Sequence, residues 1–186
     1  MAERDASDAS SLRVFFALWP DDATREALDR TGKWLHQHWG GRRMRAETLH
    51  ITLAFLGATA ADRLDALAAC ADSVAAEPFA LVLDRAAYWG HKRIGWFGAS
   101  EMPPPYLELV TSLNAALRAA DFPVDGRPHV PHVTLLRNAA GGEVPICRPV
   151  NWRVDDFALV KSRTESDGAR YEVIRHWPLP AAKGLG

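Results

Sequence analysis

The chain has 186 residues, 48% hydrophobic and 24% charged, with a formal net charge of −1. That length and mix fit one globular domain with a sizeable core, and no apolar run reaches the ~20 residues that span a bilayer. Near neutrality excludes a coat for long nucleic acid, which rests on many phosphate contacts. Short basic groupings (Arg42, Arg43 and Arg45; His91, Lys92 and Arg93; Lys161 and Arg163) suit a small anion instead.

The opening MAERDASDASS, residues 1–11, is acidic and small where a signal peptide is basic then apolar, and reads as a disordered leader. Residues 12–186 then form a single domain. RVFFALWP (Arg13 to Pro20) is a strand ended by proline. Asp21 or Asp22 caps a helix to about His38, with Ala27, Leu28, Trp34 and Leu35 as its apolar stripe. WGGRRMRAE is a loop, and Leu49 to Leu56 is a buried strand ended by Gly57. Thr59 can cap a second helix, Ala60 to Ala76. FALVLDRAAYWG and RIGWFGA form two strands joined around Gly90 to Lys92. Pro103 to Pro105 opens a third helix, Tyr106 to Ala120.

His132 to Leu136 is a further strand and NAAGGEVPICRP a flexible loop. DDFALVKS and YEVIRHWPL close the chain as a hairpin around Asp167 and Gly168. The order βαβα, ββ, α, βββ gives an α+β fold with largely antiparallel sheets, pseudo-symmetric with one sheet per half. Cys70 belongs to a helix and Cys147 to a Pro-flanked loop. Neither has a partner at zinc-ligand spacing, so no disulfide frame or structural metal is expected, and the compartment is the cytoplasm. No exposed apolar stripe demands a partner chain, so the expected state is a monomer.

Two stretches break the apolar pattern. LHITLAFLG (Leu49 to Gly57) and PHVTLLR (Pro131 to Arg137) each set His and Thr two apart in an apolar strand. Alternation puts His50 and Thr52 on one face, and likewise His132 and Thr134, with Ile51, Leu53, Val133 and Leu135 turned to the core. Seven His and eight Thr in 186 residues give 7 × 8/186, about 0.3 such pairs by chance, so two copies followed by Leu carry information. A lone histidine here would be a core imidazole bonded to a carbonyl, and a metal site would want a third ligand that neither motif supplies. Two imidazoles across a groove suit phosphodiester cleavage, which needs one group to take a proton and another to give one. The threonine hydroxyls can hold the phosphate oxygens.

This pair of motifs resembles the two-histidine (2H) phosphoesterase superfamily. RVFFALWPDD, the two motif strands and FALVKS…YEVIRHWPL are similar to the bacterial RNA 2′,3′-cyclic phosphodiesterases, historically named 2′–5′ RNA ligases. The resemblance implies a bilobal fold whose two sheets form a central cleft with helices packed outside. It implies hydrolysis of 2′,3′-cyclic phosphates at RNA ends, or on small nucleotides, to 2′-phosphomonoesters, with no cofactor, no metal and no membrane. His50 would be the proton donor, His132 the proton acceptor, and Thr52 and Thr134 the phosphate holders. The near symmetry of the motifs permits the reverse split. Arg137 follows the second motif, but at five residues from His132 a regular strand sends it to the other face, and it reaches the phosphate only if the strand bulges or ends. Phe16 and Trp19 are candidates to line the cleft or to sit in the core. His129 lacks a threonine two residues on, and none of Arg42, Arg43 and Arg45 stands out. Competing readings are 2′–5′ ligation as the main activity, other cyclic or 2′–5′ phosphodiesters as substrates, and a module that binds nucleotides or RNA ends without turnover.

Overall fold

The computed structural model describes residues 11–125, 130–166 and 168–180. Residues 1–10 of the expected leader, His129 and Asp167 lie outside these, and Ser11 belongs to the first strand rather than to a leader. In chain order the elements are β1 (Ser11–Leu18), α1 (Asp22–Trp39), β2 (Arg42–Arg43), β3 (Ile51–Ala60), α2 (Leu64–Asp72), β4 (Phe79–Leu83) and β5 (Arg85–Trp89). There follow β6 (Ile94–Gly98), α3 (Pro104–Ala119), β7 (His132–Arg137), β8 (Val150–Val154), β9 (Asp156–Glu165) and β10 (Gly168–Pro178).

Apart from the small β4–β8 sheet, the strands form one antiparallel sheet in the order β10-β9-β1-β3-β7-β6-β5, with β2 beside β7. The two expected halves are therefore wings of one sheet. They meet through a single residue pair, Ile51 with Val133, both fully buried. In β1, Val14, Phe16 and Leu18 belong to the main core, while Phe15 and Ala17 join Ala158 and Val160 in a smaller cluster on the other face. The main core also takes Leu28 and Leu35 of α1 and Leu109, Leu113 and Leu117 of α3, all at 0% exposure. No helix among the described residues is long and apolar enough to cross a membrane.

Local chemistry sets the element ends. Asp21 caps α1, its carboxylate accepting from the Thr24 N–H at 2.7 Å. That bond holds the Asp21 pKa below its ordinary value. Trp34, expected inward, is 44% exposed, and its indole donates to the Ile146 carbonyl. Trp39 likewise donates to Glu143, so both indoles pin the loop after β7 to α1.

Several boundaries differ from expectation. Gly57 does not end β3, because its φ of 69° lets the strand bulge and continue to Ala60. Thr59 is consequently a buried strand residue paired with Leu12 and caps nothing. The second helix is shorter than Ala60 to Ala76, with a 3₁₀ turn at Ala61–Arg63 leading into α2. FALVLDRAAYW is two strands: Asp84 accepts from the Ser100 N–H and hydroxyl, and the chain changes sheets there. VNWRV, unassigned from sequence, is β8, with Val150, Trp152 and Val154 buried on alternate positions.

Candidate active site

Antiparallel pairing about Ile51 and Val133 sets His50 toward Thr134 and Thr52 toward His132. The two motifs thus share one face at the junction of the wings. His50, Thr52, His132 and Thr134 all line a pocket of about 150 Å³ there, with Arg137, Tyr171, Met44 and Thr48.

Arg137 reaches it because β7 bulges. Gly95 pairs with Leu136 and Trp96 with Thr134, which leaves Leu135 as an extra residue. Leu135 and Leu136 are then both buried, Leu135 against Gly32 of α1, and alternation resumes one step late. The delay returns Arg137 to the face of His132 and Thr134. β3 does the same: Phe16 pairs with Ala54 and Ala17 with Thr52, leaving Leu53 extra. The residue five after His50, Phe55, accordingly emerges on the His50 face and is 54% exposed.

Both imidazoles are held alike. His50 Nδ1 lies 2.7 Å from the Thr48 carbonyl and His132 Nδ1 2.7 Å from the Val130 carbonyl. A carbonyl only accepts, so each Nδ1 carries a proton and, in the neutral ring, Nε2 keeps its lone pair. For His50, Nε2 lies 3.1 Å from the Thr52 hydroxyl, which donates to it in the neutral ring. Aromatic rings fix both histidines. His50 stacks on Trp19 (centroids 5.7 Å apart, 18° between planes) and meets Phe15 and the edge of Tyr171. His132 meets Trp89 at 4.7 Å and Trp96 at 5.8 Å. Burial pushes the His50 pKa down from 6.5 to about 4, against the hydrogen bond to Thr48 and with the help of repulsion from His132.

Of the aromatic candidates, Trp19 stands at the site and Phe16 in the core against Phe157 and Trp177. Tyr171 and Phe15 were not identified from sequence. Each lies in an apolar or mixed strand, and only the register of β9 and β10 on β1 shows which face it takes. The structure also separates the three loop arginines. Arg43 is bound to Asp29 of α1 at 2.6 Å. Arg45 donates to the Ala169 carbonyl at 2.8 Å, tying the loop to the β9–β10 hairpin beside Tyr171. Arg42 is exposed and pairs across strands with Arg137, a like-charge arrangement that an anion would relieve. Among the described residues, no group of three or more His, Cys, Asp or Glu is placed to hold a metal ion.

The family model described as LigT like Phosphoesterase matches residues 18–96. A relative from Escherichia coli (strain K12), named RNA 2′,3′-cyclic phosphodiesterase, is 33% identical over 173 residues, 90% of this chain and 96% of the relative. The chain belongs to the LigT-like phosphoesterase family. A second LigT-like relative of the same name, from Thermus thermophilus, is 28% identical over 93% of both chains. The crystal structure of E. coli LigT complexed with 3′-AMP superposes with a TM-score of 0.82 at 30% identity, over 91% of this chain and 98% of that one.

Proposed function

We propose that this protein hydrolyses 2′,3′-cyclic phosphates at RNA ends, or on small nucleotides, to 2′-phosphomonoesters, with His50 and His132 as its acid–base pair. The observation that carries the reading is the convergence on one pocket of both His-x-Thr motifs, through the pairing of Ile51 with Val133, and of Arg137, through the β7 bulge. The E. coli and Thermus relatives, which match nearly the whole chain and are named RNA 2′,3′-cyclic phosphodiesterase, support it.

His132 Nε2 takes a proton from a water that attacks phosphorus. The bond from phosphorus to O3′ breaks, and His50 Nε2 delivers a proton to O3′, leaving a 2′-phosphate and a 3′-hydroxyl. Thr52, Thr134 and Arg137 hold the non-bridging oxygens, where negative charge builds in the transition state. Burial keeps His50 neutral at pH 7, so a phosphate anion beside it is what raises its affinity for the proton it must give. The Thr52 hydroxyl has one proton, which it gives to the neutral His50 Nε2 or, once that nitrogen is protonated, to a phosphate oxygen. Two free thiols, Cys70 and Cys147, fit work in a reducing cytoplasm.

The test is turnover of an RNA ending in a 2′,3′-cyclic phosphate by His50→Ala and His132→Ala, with folding checked by circular dichroism. Each loss of an acid or base is expected to lower kcat about 10²- to 10⁴-fold. Folded variants with undiminished kcat overturn the assignment.

A further inference from the structure

An imidazole that gives a proton must first carry one, and burial and the neighbouring His132 both disfavour a charge on His50. The titratable and charged groups that share its pocket are His132 and Arg137 of β7 and Tyr171 of β10, none of them a carboxylate. Glu47, the nearest acid along the chain, is exposed and paired with Arg45 at 3.6 Å.

What encloses the ring is a box of π-systems. Phe15 lies tilted at 4.9 Å and 35°, Tyr171 meets it edge-on at 5.3 Å and 87°, and Trp19 is stacked on it at 5.7 Å and 18°. Trp19 keeps this place because the chain is fixed on both sides of it. Leu18 ends β1, the Pro20 carbonyl accepts from Arg25 at 2.9 Å, and Asp21 caps α1. The rings beside His132, Trp89 and Trp96, are inclined at 75° and 63°. Among the described residues, Trp19 is thus the one ring stacked on either histidine.

The face of an indole is negative and attracts a cation more strongly than any other side-chain ring. Where water is excluded, that attraction is enough to move a pKa by about one pH unit. The same ring also keeps water away, which favours the neutral imidazole, so the two effects oppose each other. Leucine at this position keeps the apolar cover and removes the π-face, and so separates them.

We propose that Trp19 is a positioning residue for the acid: its indole face holds the His50 ring and supports the imidazolium that forms beside the bound phosphate. This rests on the hydrolytic reading above, with His50 as proton donor.

The experiment is an NMR titration of ring-labelled histidine with adenosine 2′-monophosphate bound, the His50 signal being assigned by its loss in His50→Ala. In Trp19→Leu the His50 pKa is expected about one pH unit below that of wild type, with His132 unmoved, and Trp19→Phe is expected to restore most of it. Trp19→Met serves in the same way if the Leu variant does not fold. On a 2′,3′-cyclic ester, kcat of Trp19→Leu should fall by up to about tenfold at the alkaline end, with the deficit closing as pH falls and KM held. An unchanged His50 pKa, or a kcat deficit equal at every pH, overturns the proposal. So does a pKa that rises, which would mean that Trp19 acts by excluding water. The titration needs no turnover, so these results leave hydrolysis standing, whereas a wild type inactive on the cyclic ester overturns the hydrolytic reading.

Discussion

Replacing His50 with Asn should change how stability depends on pH, by an amount the structure sets. The Asn amide keeps a donor near the Thr48 carbonyl, which accepts from Nδ1 at 2.7 Å in the native ring, but it does not titrate. In the native protein the His50 pKa is lowered from 6.5 to about 4, chiefly by burial. Between those values the unfolded chain binds the proton and the folded one does not. The neutral ring therefore adds stability that is fully present above pH 6.5 and lost as pH falls toward 4. From pH 7 to pH 4.5 the linkage comes to roughly 2.5 kcal/mol, against a total stability of about 5–15 kcal/mol for a domain. Urea unfolding of both proteins at the two pH values reads it directly, and other titrating groups cancel in the difference. Wild type should lose roughly 2.5 kcal/mol more than His50→Asn. Parallel losses in the two proteins would refute the claim that His50 is held neutral by its burial.

Arg137→Ala should lower kcat about 10²-fold by removing a donor to the developing charge, and Arg137→Lys should recover only part, because a lysine lacks the two-pronged grip; steady-state kinetics on the cyclic ester decides it, and an unaffected kcat would show that the bulge does not deliver Arg137 to the phosphate. Leu135→Ala, at the bulge and 2% exposed, should cost about 2–5 kcal/mol in urea unfolding, and a cost near zero would mean that the extra residue is not packed as described. Gly98 pairs with His132, and a Cβ there would meet the Pro131 carbonyl oxygen at 2.5 Å. Gly98→Ala should therefore lower both Tm and kcat, since it displaces the backbone that carries His132, and calorimetry with kinetics showing neither change would contradict this.

The motifs were legible in the sequence because both histidines and both threonines depend only on alternation over three residues, which local backbone geometry enforces. Arg137 was not placeable by the same rule. Its side of the sheet depends on whether Leu135 is inserted into the ladder, and the bulge shows only in the register of β7 on β6, whose residues lie about forty positions earlier. The joining of two expected sheets into one likewise turns on a single pair, Ile51 with Val133. Buried on both sides, these residues look like any strand interior. Tyr171 and Phe15 were missed for a related reason: an aromatic in a strand shows its period, and the register on β1 decides whether its face meets helices or the cleft. Helix and strand limits failed where one residue carried conflicting signals. Gly57 reads as a stop but serves as a bulge, and Thr59 reads as a cap but is a buried strand residue.

The central claim, an acid–base pair that opens a 2′,3′-cyclic phosphate toward the 2′-ester, is tested most directly by the identity of the product. An RNA with a terminal 2′,3′-cyclic phosphate is incubated with the protein in excess EDTA and followed by phosphorus NMR. The expected result is complete conversion to the 2′-phosphomonoester by the wild type and, over the same time, at most about a hundredth of that rate by His50→Ala or His132→Ala. A 3′-phosphate product, joined RNA in place of hydrolysis, loss of activity in EDTA, or full turnover by either variant would contradict the account.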